Sequence, residues 1–150
     1  MGTAPALTRG ERRERVTAWG WALGGVLVFV GASAVYGGIG LMADGMGMPS
    51  HWLESTPFTS WTLPGVALLV TVAVPQLGAA WLVVGRHPRA ALGGVVVGAA
   101  LVLWIVVQVL VLRRYFFLQP VIAGFGAVEM LLGRGWARQA PPHAPSHARA

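Results

Sequence analysis

The sequence predicts an all-α fold: a bundle of four transmembrane helices, N-in and C-in, with a structured outer loop between the first two. Three observations predict it. Apolar residues make up 55% of the chain and charged residues 11%, against roughly 25% charged in an ordinary soluble domain. The apolar residues gather into four runs, each about the 20 residues a helix needs to cross the hydrocarbon. The arginines gather at the ends of those runs, where they mark topology. The same composition excludes a disordered chain, which needs low hydrophobicity and high charge. It also excludes a small soluble domain, which could not keep so much apolar surface from water.

Residues 1–15 read as a basic cytoplasmic head, with Arg9, Arg12, Arg13 and Arg15 mixed with Glu11 and Glu14. The membrane domain, 16–132, holds spans over 16–41, 61–84, 90–112 and 115–132. Each must be a helix, because in lipid every backbone N–H and C=O needs a partner within its own segment. The first span is rich in glycine, and the spacings Gly20-x3-Gly24 and Ala34-x3-Gly38 suit close helix contacts, within the bundle or between protomers. An outer loop, MADGMGMPSHWLESTPFTSW, comes next without an arginine. Within it the turn HWLE is expected to lay Trp52 and Leu53 into the membrane interface. The tail 133–150, rich in Ala, Pro, His and Arg, is expected to be disordered in the cytoplasm.

Orientation is set by the arginines. With the N-terminus inside, Arg9, Arg12, Arg13, Arg15, Arg86, Arg89, Arg134, Arg138 and Arg149 are internal, and Arg113 and Arg114 are external. Trp19, Trp21, Trp81 and Trp136 then form the inner aromatic belt, and Trp52 and Trp61 the outer one. The expected location is the inner cell membrane, multi-pass. The triplet Ala32-Ser33-Ala34 resembles a signal-peptide cleavage site, but the apolar run continues past it, so an uncleaved anchor is expected.

Several functions are excluded or disfavoured. The chain has no Cys and therefore no disulfide or thiol chemistry. Its net charge of +6 would suggest nucleic acid in a soluble protein; here the arginines sit at span ends, and no nucleic-acid partner is expected. GWALGG lacks the lysine and preceding strand of a phosphate loop. Met42, Met46, Met48 and His51 are donors of the kind Cu(I) takes, yet they read better as residues at the membrane surface. His143 and His147 in the tail would need a helix to share a metal, and prolines surround them. No metal or cofactor is expected. No nucleophile, base and orienting group can be assembled, so the chain reads as non-catalytic.

Polar residues inside spans are the informative ones. Gln76 lies beside Pro75, Gln108 lies one turn after Trp104, Gln119 precedes Pro120, and Glu129 is the only carboxylate in a span. At 100° per residue, Gly94, Gly98, Ile105 and Gln108 share a face of the third helix, expected to face the bundle. Gln119, Ala123, Gly126 and Met130 share a face of the fourth. Trp104, Gln108, Gln119 and Tyr36 are expected to lie at similar depth, as an interhelical clamp or as a small pocket for a lipid head group or ligand. Glu129 is placed near the inner end of its helix, level with Arg86, Arg89 and Arg134. The two readings there are an interfacial ion pair and a proton or cation site.

Four pieces in order, GGIGLMADGMGMP (37–49), LESTPF with LPG (53–65), WIVVQV (104–109) and FLQP (117–120), carry a resemblance. The chain resembles a group of small uncharacterised bacterial four-helix integral membrane proteins over about Gly37 to Leu132. The resemblance implies the four-span fold and carries no activity. The group's turn has a proline where Gly45 succeeds Asp44 here. The expected function is a packing, partner-binding or lipid-binding role, the partners being membrane lipid, a second copy or another membrane protein. The alternative is a small transporter or a quinone-linked redox subunit.

Overall fold

The computed structural model describes residues 9–54, 56–113 and 115–139, with side chains described from residue 18 onward. It is all-helical, with no strand among the described residues. Among the described residues five α-helices occur in order: α1 (Arg9–Asp44), α2 (Thr62–Leu68), α3 (Val74–Val84), α4 (Ala90–Leu112) and α5 (Leu118–Gln139). A π-helical turn, Leu69–Ala73, joins α2 to α3, so the two form one continuous rod. Among the described residues, three segments are long and apolar enough to cross a membrane: Ala18–Gly47, Thr62–Val84 and Ala90–Leu112.

The rods form a ring. α1 lies against the α2–α3 rod and against α5, α4 lies against α3, and the most extensive contact joins α4 to α5. The core has two parts. Leu23, Leu27, Ala79, Ala80, Val83 and Ala90 fill the end carrying the α3–α4 turn. Val30, Ala34, Val72, Ala73 and Leu101 fill the other half.

Glycines set the helix spacing at two crossings. A Cβ on Gly98 would lie 2.5 Å from the carbonyl oxygen of Gly126, and one on Gly126 would lie 2.7 Å from that of Gly98. α4 and α5 therefore touch backbone to backbone there. Gly38 of α1 and Gly65 of α2 repeat the arrangement: a Cβ on Gly65 would meet the Gly38 oxygen at 2.7 Å. In lipid, where apolar burial gives little drive to associate, such approach lets dispersion hold helices together. Of the glycines singled out by spacing in the first span, Gly38 serves a contact within the bundle.

Four expectations need correction or extension. The first helix starts at Arg9, so part of the expected head is helical; residues 1–8, and the side chains of Arg9, Arg12, Arg13 and Arg15, lie outside the described residues. The second span is not uniform. Pro75 has no N–H for the carbonyl four residues back, and its ring crowds that carbonyl. The helix widens instead, with the Val74 N–H bonded to the Leu69 oxygen five residues away, the π pattern. The fourth helix is shifted: it begins at Leu118 and runs to Gln139, so residues 133–139 are helical and not disordered. An interlock explains the extension. Trp136 fills the space a Cβ on Gly20 would approach at 3.4 Å, and Trp19 fills that of Gly135 at 2.6 Å. Residues 140–150, with His143, His147 and Arg149, lie outside the described residues, as does Arg114.

The loop after α1 is structured, as expected. Asp44 accepts a 2.8 Å hydrogen bond from the Met46 N–H, and Gly45 turns the chain at φ +68°. A proline, fixed near −65°, could not stand at this position. The turn Ser50–Leu53 is a 3-10 helix whose Leu53 is buried in the protein and whose Trp52 is half-buried. Leu53, expected at the membrane interface, is thus buried in the protein instead.

Candidate functional site

Polar side chains deep in the bundle identify the site. Gln76 Nε2 donates to Glu129 Oε2 at 3.0 Å. Gln76 is 1% exposed and Glu129 is 0% exposed. Gln76 stands on the first turn of α3, just after the π turn, and Glu129 stands halfway along α5. These two elements face each other across the ring, so the bond spans its diagonal. The pair lies between the two core clusters on both helices: Ala73 and Ala79 flank Gln76, and Phe125 and Leu132 flank Glu129.

The neighbours fix the geometry. A Cβ on Gly98 would sit 3.0 Å from the Cβ of Glu129, and one on Gly31 would sit 3.4 Å from the Cβ of Gln76. Larger residues at either position would push the pair apart. The π turn adds about one residue to the rod before Gln76, rotating α3 by about 100° relative to an uninterrupted helix. Thr71 within it donates its hydroxyl to the Ala67 carbonyl at 2.7 Å, a bond that bends helices. A cavity of about 10 Å³ lies beside Gln76, lined also by Thr71, Pro75, Val97 and Ala100. That is room for about one water molecule.

One oxygen on each partner remains unsatisfied. Gln76 Oε1 and Glu129 Oε1 are both buried without a hydrogen-bond partner. A buried orphan acceptor costs about 1–3 kcal/mol, so two together on one pair need a physical reason.

The structure places the other candidates separately. Glu129 is not at a helix end beside the arginines; Arg86, Arg89 and Arg134 are exposed, and the carboxylate bonds to Gln76 instead. The buried face of α5 carries Gln119, Gly126, Glu129 and Gly133, turned by about 45° from the expected one towards Glu129. On α4 the expected face holds, with Gly94, Gly98 and Ile105 buried and Gln108 half-buried.

Of Trp104, Gln108, Gln119 and Tyr36, Tyr36 stands apart from the bundle interior. Tyr36 is 74% exposed on the outside of α1, and Trp104 packs on the second core cluster. Gln119 Oε1 accepts from the Phe116 N–H at 3.0 Å, capping the start of its own helix. Met46 and His51 are exposed and Met42 and Met48 half-buried; no group of three His, Cys, Asp or Glu among the described residues could hold a metal.

Gln76 is the residue that sequence reasoning left without a role. Its signal was depth: a side-chain amide in lipid needs a partner, and Glu129 is the carboxylate at a matching level. Comparison with protein-family models, with curated proteins and with solved structures finds no match to this chain.

Proposed function

We propose that the chain is a non-catalytic, multi-pass protein of the inner cell membrane whose work lies on its outside, in holding membrane lipid, a second copy or another membrane protein. In this reading α5 is the fourth span and both ends are internal. The observation that carries it is how the interior is used. Backbone contacts at Gly98–Gly126 and Gly38–Gly65 close the crossings, and the in-span carboxylate turns inward to Gln76. The surface, by contrast, is lined with large apolar side chains such as Phe29, Leu77, Leu103 and Leu131. α5 supports a fourth span by completing the ring between α4 and α1. The exposed Arg86, Arg89, Arg134 and Arg138 at one end support the internal placement of that end.

Mass spectrometry of the intact protein in mild detergent tests this reading. It predicts a retained lipid, a dimer or a co-purifying membrane protein. A bare monomer from native membranes, with nothing bound under any gentle extraction, would sink it. A C-terminal reporter tests the orientation and should read inside.

One observation favours the alternative of a small transporter over a redox subunit: Glu129 lies midway along its helix, where a translocated ion would pass. A quinone seat would need Trp104 and Gln108 free, and Trp104 is engaged in the core.

A further inference from the structure

We propose that the Gln76–Glu129 pair is a binding site for one small cation, a proton or a monovalent metal ion, held between the two Oε1 atoms. The inference rests on hydrogen-bond accounting and goes beyond the reading of the protein's surface. Gln76 Oε1 and Glu129 Oε1 are acceptors, each buried, and each without a donor. They belong to side chains already joined through Nε2 and Oε2 at 3.0 Å, so both orphans lie on one small polar island.

Among the described residues, none packed against that island carries a positive charge. The elements packed against it present Gly31 from α1, Gly98 and Leu101 from α4, and Gly126 and Met130 from α5. Among the described residues none of these is charged or titratable. The nearest arginines in sequence, Arg86, Arg89 and Arg134, are exposed at or near helix ends. An unpaired charge in such surroundings is costly, and an electropositive occupant removes the deficit.

The two sources fit in different ways. A proton on Glu129 Oε1 turns that atom into a donor, which Gln76 Oε1 can accept, closing the pair as a two-bond ring. A monovalent metal would take both oxygens and one water from the cavity beside Gln76, which holds about one. Thr71 and Ala100 on the rim of that cavity are exposed, so it opens on the flank between the α2–α3 rod and α4.

The test is infrared difference spectroscopy of the full chain in lipid nanodiscs, wild type minus Glu129→Gln, in sodium and in choline buffers. Thermal unfolding is monitored in parallel. A protonated-carboxyl carbonyl band, equal in both buffers, establishes the proton. A carboxylate band that shifts between sodium and choline, with an unfolding midpoint that climbs with sodium concentration, establishes the metal ion. A carboxylate band identical in both buffers, with an unfolding midpoint unaffected by sodium, overturns the proposal. Should Glu129→Gln fail to fold, Gln76→Leu replaces it: the Glu129 band must move when the amide is lost, and an unmoved band refutes the site.

Discussion

Adding one methyl group to the α4–α5 crossing tests whether backbone contact holds the bundle. In Gly98→Ala the new Cβ would stand 2.5 Å from the Gly126 oxygen, 3.0 Å from the Glu129 Cβ and 3.1 Å from the Met130 Cγ. Ordinary contact begins near 3.4 Å, so the helices must part by about 1 Å. The obstacle is backbone, which cannot turn aside as a side-chain tip can. Overpacking of this kind costs about 1–3 kcal/mol, and a gap of 0.5–1 Å forfeits a quarter to a half of each dispersion contact along the seam. Gly124 on α5 supplies the control, since a Cβ there meets nothing within 4 Å. Gly124→Ala should be neutral or stabilising by about 0.4–1 kcal/mol, because alanine costs less backbone entropy than glycine in a helix. Reversible unfolding in mixed micelles, read by Trp fluorescence, measures both. The two variants should differ by at least about 1 kcal/mol. If Gly98→Ala unfolds at the same denaturant concentration as Gly124→Ala, the close crossing does not exist and the account of the seam fails.

The same geometry sets the outcome of other perturbations. Gln76→Leu leaves Glu129 buried with no hydrogen-bond partner and should destabilise by about 1–3 kcal/mol, whereas Gln76→Leu combined with Glu129→Leu should recover most of the loss in the same unfolding assay. Trp136→Ala removes the side chain that fills the Gly20 notch; hydrogen exchange should become fast over 133–139 and stay slow at 122–130. Gly45→Ala forces a Cβ to 2.6 Å from Trp61 at a φ of +68° and should cost about 1–2 kcal/mol, with the change in Trp fluorescence confined to the native baseline of the loop.

Much of the fold was legible because lipid enforces it. The third span was placed at Ala90–Leu112 and the helix has those ends, since charges bound an unbroken apolar run on both sides. The inward face of α4 was legible for a related reason: small residues at i, i+4 cannot fill a lipid-facing groove, so they turn to the neighbouring helix. The fourth helix was misplaced because Gly133-Arg134-Gly135 looks like a terminus by composition. What carries the helix onward is Trp19 and Trp136 seated over each other's glycines, a contact between residues at opposite ends of the sequence.

That one boundary hid the site. With the helix ended at Leu132, Glu129 falls among the terminal arginines. With the end at Gln139, Glu129 lies about 15 Å along the axis and Gln76 about 12 Å from the end of its own helix at Val84, and the two meet. The π turn was hidden in a different way. Pro75 announced a disturbed helix, but whether a proline yields a kink or a widened turn depends on the packing around it.

Cross-linking tests the central claim, that Gln76 and Glu129 meet across the bundle, most directly. The chain contains no cysteine, so the double variant Gln76→Cys with Glu129→Cys carries the only two thiols, and replacing both polar partners together is the less disruptive change. A short bismaleimide applied to native membranes should join residues 76 and 129, as read by peptide mass spectrometry. It should not join Gln76→Cys to Leu131→Cys, since Leu131 is exposed on the outer surface of α5. A link from 76 to 131 with none to 129 would contradict the account.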